Sequence, residues 1–191
     1  AAARGFRETG ECLEEYRLHL PEANIDAYAG LEARLEASGI RIATLAELGA
    51  GEEMFLRALQ RLWADSSETL PDPEGLTDSF SSWRREVLDA AGSSAETHWV
   101  ALDGERPVGM TFLKRLSMGA AENDYTCVAS TYRGRGIAAA LKLRTVAWAR
   151  RQGVRWFYTS SEVGNAPMIA LNQRLGYQAG VRRLAVARDL P

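Results

Sequence analysis

Apolar and polar side chains alternate through Glu15-Tyr16-Arg17-Leu18-His19-Leu20, which predicts a strand ending at Pro21. The period then lengthens. Ile25, Tyr28, Leu31 and Leu35 recur at helical spacing until Gly39, a residue suited to stopping a helix. Ile40 to Ala43 alternates again, and Thr44-Leu45-Ala46-Glu47 has the spacing of a capping box, predicting a new helical start. Phe55, Leu59, Leu62 and Trp63 make the next apolar face. Pro71-Asp72-Pro73-Glu74-Gly75 breaks it, and Asp78 is placed to cap a helix carrying Phe80, Trp83, Val87 and Ala91.

The second half has a stricter order. Thr97 to Leu102 and Val108 to Leu113 flank Asp103-Gly104-Glu105-Arg106-Pro107 and predict a hairpin. A strand from Asp124 to Ala129 leads into Tyr132-Arg133-Gly134-Arg135-Gly136. A helix follows with Ile137, Ala140, Leu141 and Trp148 on one face, stopping at Gly153. Val154 to Thr159 reads as a buried strand. Strand, crossover helix and strand imply a parallel pair, so the fold class is α/β with an antiparallel front. Asn165 can cap a last helix bearing Met168, Leu171 and Leu175 on one face, with Asn172 beside that stripe.

Gly134 and Gly136 allow positive φ and a close approach of backbone to ligand. The helix start behind them offers unpaired N–H groups and the positive end of a dipole, while Arg133 and Arg135 add charged donors. This is an anion cradle. It is not a P-loop, which needs Lys-Ser or Lys-Thr where Ile137-Ala138 stands. It is not a dinucleotide fingerprint either, because Ala139 occupies the third glycine position.

Composition narrows the class. An apolar share of 46% and a charged share of 25% match soluble globular proteins, with no membrane-spanning run, and 191 residues suffice for one full domain plus an appendage. A formal charge of -2 argues against a nucleic-acid surface; Arg144, Arg150, Arg151 and Arg155 read as a solvated helix face. Cys12, Cys127, His19 and His98 make no metal spacing, so free thiols, no metal and a reducing cytoplasm are expected. Ala1 to Gly5 holds neither a signal-peptide core nor an initiator methionine, and the chain reads as a fragment or processed form.

The pattern Arg-x-x-Gly-x-Ala from Arg133 to Ala138 resembles the acyl-CoA loop of the GNAT superfamily of N-acyltransferases. Asn165-x-x-Met168-x-x-x-Asn172-x-x-Leu175-Gly176-Tyr177 resembles the second half of the same domain. The resemblance covers about residues 40 to 191. It implies a mixed, mostly antiparallel sheet with a splayed parallel strand pair, flanked by helices. It implies acetyl-CoA as co-substrate, with the pantetheine arm on Cys127 and Val128, the pyrophosphate on Arg133, Gly134, Arg135, Gly136, Ile137 and Ala138, and Asn165, Met168 and Asn172 beside the arm. Residues 1–21 are expected as a strand hairpin or the tail of a truncated preceding copy, since Gly5-Phe6 to Leu20-Pro21 is spaced like Gly176-Tyr177 to Leu190-Pro191; residues 22–39 are expected as a linker helix. This layout resembles tandem proteins of the superfamily.

The activity so implied is direct transfer of an acetyl group to an amine, with a small-molecule acceptor expected. An alkylamine has a pKa near ~10 and must lose a proton first, so a carboxylate is needed. Glu122 and Asp124 are the favoured bases, with Glu162 a third candidate. The backbone N–H of Val128 would polarise the thioester carbonyl. Many members carry a tyrosine at the position of Asn172 to protonate the departing thiolate, a task that here falls to solvent, Tyr125 or Tyr158. The alternative expectation is a catalytically silent domain that binds acyl-CoA or a protein.

Overall fold

Alternation of buried and exposed positions draws seven strands into one sheet, with helices packed on both of its faces. The computed structural model describes residues 7–49, 52–67, 79–117 and 119–187. In chain order the elements are β1 (Arg7–His19), α1 (Leu31–Ala37), β2 (Ile40–Thr44), α2 (Glu53–Ser67), α3 (Phe80–Trp83), β3 (His98–Asp103), β4 (Arg106–Ser117), β5 (Ala120–Val128), α4 (Ile137–Arg151), β6 (Trp156–Glu162), α5 (Ala166–Leu175) and β7 (Gln178–Ala187). The sheet order is β2-β3-β4-β5-β6-β1-β7, and β5 with β6 is its parallel pair.

Each face has its own core. On one, Leu113, Ala121, Phe157, Tyr16 and Leu18 from the sheet meet Ile137, Leu141 and Val146 of α4, Leu175 of α5 and Leu31 and Leu35 of α1. On the other, Val100, Leu102, Met110, Phe112 and Cys127 meet Leu56, Leu59 and Leu62 of α2 and Trp83 of α3. The N-terminal strand lies inside the sheet, antiparallel to β6 on one side and β7 on the other. With a ladder on both edges it runs well beyond the six alternating residues that predicted it.

Other elements differ from their sequence patterns for local reasons. Over residues 25–39 a 3-10 turn at Asp26–Tyr28 and the positive φ of Gly30 shorten the expected helix to α1. The capping box forms, with Thr44 N–H donating to Glu47 Oε2 at 2.8 Å and Glu47 N–H to Thr44 Oγ1 at 3.1 Å, but it closes a turn. The helix begins only at Glu53. Ser79 caps α3, accepting from Ser82 N–H at 3.1 Å; Asp78 and Pro71 to Gly75 lie outside the described residues, as do Leu190 and Pro191. The chain after Trp83 continues as a wider π turn, Arg84–Leu88.

One core residue is out of character. Lys142 of α4 is 1% exposed, its Nζ lies 5.4 Å from the centre of the Tyr177 ring, and burial pulls its amine down to about 7 from the usual 10.5. The unfolded chain therefore binds more protons than the native one between those values, so stability rises with pH across that window and the full penalty is present below it. Lys142→Met, of similar volume and without the charge, is expected to raise unfolding free energy at pH 6.5 by about 1–4 kcal/mol and to flatten the slope up to pH ~10. Urea titrations at the two pH values check this; a destabilised variant would show that the buried amine is a net support of the core.

Candidate functional site

The parallel ladder of β5 and β6 is short. Ala120 pairs with Trp156, Ala121 with Phe157 and Glu122 with Tyr158, after which the strands part. At the fork Thr159 Oγ1 donates to the carbonyl of Asn123 at 2.9 Å. A bulge on β5 contributes to the divergence: Phe112 pairs with Tyr125 but Leu113 with Asn123, leaving Asp124 as the extra residue. The buried amide of Asn123 pins it, Nδ2 donating to Thr111 Oγ1 at 2.7 Å and to the Phe112 carbonyl at 2.9 Å. Beyond the bulge, Ala129 N–H bonds to the Val108 carbonyl at 2.9 Å. Since antiparallel ladders alternate, Val128 turns its N–H into the gap and Cys127 turns its own back toward β4. The Val128 carbonyl accepts from Arg133 Nε at 3.3 Å.

The glycine turn closes the open end of this gap. Gly134 and Gly136 have φ of 77° and 88°, and Gly136 is the N-cap of α4. The first helical bond is Ala140 N–H to the Gly136 carbonyl at 3.0 Å, so the N–H groups of Ile137, Ala138 and Ala139 belong to the unpaired first turn. The Ile137 side chain is buried against Gly109 of β4. A Cβ on Gly134 would meet nothing within 4 Å, but one on Gly136 would come within 2.7 Å of Leu31 Cδ1. The first glycine is thus required by its dihedrals, the second also by packing against α1. Arg133 and Arg135 are exposed; Arg135 lies 4.7 Å from the Tyr132 ring centre, and Tyr132 donates to Asp103 at 2.6 Å, fastening the turn to the β3–β4 hairpin.

The two favoured carboxylates have different surroundings. Glu122 is half-buried at the last pair before the fork, and burial first, then the charge of Asp124, holds its carboxyl above the usual range. Asp124 is engaged by Lys114 Nζ at 2.7 Å. Glu162 is half-buried at the far end of β6. Asn165 accepts from Met168 N–H at 3.2 Å and caps α5, with Met168 half-buried. Asn172 is wholly buried, its Nδ2 donating to Ser161 Oγ at 3.2 Å and its Oδ1 without a partner.

Other nucleophilic or titrating side chains have structural surroundings. Burial pushes the Cys127 thiol up to about 12, so it stays protonated rather than serving as a nucleophile. His98 is buried with both ring nitrogens against carbonyls, Nδ1 to Ser94 and Nε2 at 3.1 Å to Val87, and burial lowers its pKa. Tyr125 hydrogen-bonds Ser66 of α2 at 2.9 Å, and Tyr158 is exposed on β6. No group of three or more metal-ligating side chains occurs among the described residues, and no helix among them is long and apolar enough to cross a membrane. Sequence reasoning missed Lys114, Thr159 and Ser161. All three owe their place to cross-strand register or packing, which no local pattern in the sequence signals.

The model of the acetyltransferase (GNAT) family matches residues 56–177. Among solved structures, the chain is similar to a GCN5-related N-acetyltransferase from Sphaerobacter thermophilus, with a TM-score of 0.64 and 19% identity, covering 96% of this chain and 52% of that one. It is similar to a tandem GNAT protein from the clavulanic acid biosynthesis pathway, at 0.67 and 18%, covering 100% and 58%. It is also similar to AAC(6')-Iy in complex with the bisubstrate analog CoA-S-monomethyl-acetylneamine, at 0.55 and 17%, covering 80% and 99%. The chain spans less than two thirds of the length of the first two. No curated protein matches it.

Proposed function

The chain belongs to the acetyltransferase (GNAT) family, and on that premise we propose that it transfers an acetyl group from acetyl-CoA directly to the amine of a small molecule. The observation that carries this reading is the gap between β5 and β6, forked at Thr159 and Asn123 and ending at the unpaired N–H groups of α4. These features fit the coenzyme. Positive-φ glycines leave the backbone bare where a pyrophosphate would approach, Arg133 and Arg135 supply charge, and Val128 turns a donor into the gap. Asn165, Met168 and Asn172 of α5 would flank the arm, with the unpaired Oδ1 of Asn172 as an available acceptor.

When bound, acetyl-CoA supplies the acetyl group as a thioester. Glu122 stands roughly 18 Å along β5 from Val128. It accepts, through bridging water, the proton that an acceptor ammonium must lose, its raised pKa bringing it closer to that task than an ordinary carboxylate. The Val128 N–H donates to the carbonyl oxygen on which charge grows. A departing thiolate has a pKa near ~8.5 and takes its proton from solvent or from Tyr158, which stands beside Glu122.

Calorimetric titration with acetyl-CoA, followed by thiol release in the presence of an amine library, tests the reading. Binding with amine-dependent thiol release is expected; binding with none would favour the silent, coenzyme-holding alternative. The cradle has its own test in the double variant Arg133→Ala, Gly134→Val. It removes a charged donor and forces a side chain into φ 77°, at a site where added bulk meets no neighbour. Its affinity for acetyl-CoA is expected to fall about 10- to 100-fold. An unchanged dissociation constant would place the pyrophosphate elsewhere.

A further inference from the structure

The sheet register assembles a row of side chains from five strands on one face. Lys114 of β4 stands opposite Glu122 of β5, Glu122 opposite Tyr158 of β6, Tyr158 opposite Arg17 of β1, and Arg17 opposite Gln178 of β7. Paired residues project to the same side of a sheet. Here that side carries α2 and α3 over β3 to β5, whereas over β6, β1 and β7 it leaves Trp156 39%, Tyr158 37% and Leu13 42% exposed among the described residues.

The charges along this face are mostly spoken for. Lys114 holds Asp124 at 2.7 Å, and Arg183 is ion-paired with Glu15. Within the row two are not: among the described residues Glu122 makes no ion pair, and Arg17 makes none either, its guanidinium resting 5.8 Å from the Trp156 ring centre; outside the row, Glu162 of β6 and Arg41 of β2 project to the same side and make none. Their strands are separated by two inter-strand steps, about 9.5 Å, with the exposed Tyr158 between them.

We propose that Arg17 is an anchor for a carboxylate on the acceptor, and that the acceptor class is an amine carrying a carboxylate several bonds away. The proposal rests on the acetyltransferase reading with Glu122 as base. An ammonium at Glu122 and a carboxylate at Arg17 match the two unpaired charges of the row in sign and order, and the chain between them lies across the Tyr158 ring. A planar guanidinium held by an aromatic face is suited to take a carboxylate through two parallel hydrogen bonds. An amine without a carboxylate would leave Arg17 unused, and a polycationic one would be repelled by it.

The test uses the linear series of ω-amino acids and their neutral amides as probes. Binding to the full chain saturated with coenzyme A is measured by calorimetry, and acetylation by thiol release. The acids are expected to bind about 10- to 100-fold more tightly than the amides at a middle chain length, and Arg17→Gln is expected to erase that difference while leaving acetyl-CoA affinity unchanged. Acids that bind with this Arg17-dependent preference but are not acetylated would uphold the anchor and overturn the catalytic reading. Acetylation of acids and amides alike, or a preference that survives in Arg17→Gln, would overturn the anchor and leave the catalytic reading standing. Failure of both series to bind would also overturn the anchor. Arg17 is exposed, and a folded variant is verified by its melting curve.

Discussion

Glu122→Gln is expected to lower kcat by about 10²- to 10⁴-fold, the range in which a positioned general base contributes, with little change in acetyl-CoA affinity. The substitution keeps the shape and removes the proton acceptor. Loss of fold would not account for the result. A carboxyl whose native pKa is raised makes the native state bind protons more readily than the unfolded one, so its ionised form costs stability above that pKa. The amide is therefore expected to be no less stable at pH 7. In the parent protein kcat/KM should rise with pH through a limb lying above the ordinary carboxylate range, because burial and then Asp124 disfavour the charged form. That limb should vanish in the variant. Asp124→Asn should affect turnover less, since Asp124 is already engaged by Lys114. Undiminished turnover in Glu122→Gln would transfer the role to another group, with Glu162 the next to test.

Leu18→Ala should cost about 2–5 kcal/mol of unfolding free energy, the range for truncating a buried leucine, although it lies in an N-terminal strand remote in sequence from the glycine turn. Leu18 is fully buried, flanked on β1 by Tyr16 at 1% exposure, and packs in the core that also holds α4 and α5. The position of β1 enlarges the consequence. In the order β6-β1-β7 the last strand joins the sheet only through β1, so loosening one frees the other. Urea unfolding measures the loss, and a chain of this size should melt about 2–4 °C lower for each kcal/mol removed. A cost below about 0.5 kcal/mol would mean that β1 is not seated between β6 and β7.

Much of the candidate site was legible because its parts are consecutive. The strand to Ala129, the glycine turn and the helix from Ile137 form one continuous segment, and a backbone that needs positive φ twice within three residues announces itself through glycine. Glu122 and Asp124 were both visible as carboxylates near that segment, but choosing between them required the cross-strand partner: Lys114 captures Asp124 and leaves Glu122 with burial as its main influence. The helix expected at Thr44 failed for a related reason. A capping box satisfies two backbone donors wherever it occurs, and whether a helix follows depends on what the next turn packs against.

By itself, then, the sequence determined the local geometry: strand and helix periods, the glycine turn, the cap at Asn165 and the parallel crossover, all set by sterics and hydrogen bonding within a few residues. The tertiary structure alone decided which side chains meet across strands. The insertion of β1 between β6 and β7, the row joining Lys114, Glu122, Tyr158, Arg17 and Gln178, and the burial of Lys142 and Asn172 arise from sheet register and core packing. Those depend on contacts between residues as far apart as 17 and 158, whose juxtaposition is set by the free energy of the whole sheet and not by any window of the chain.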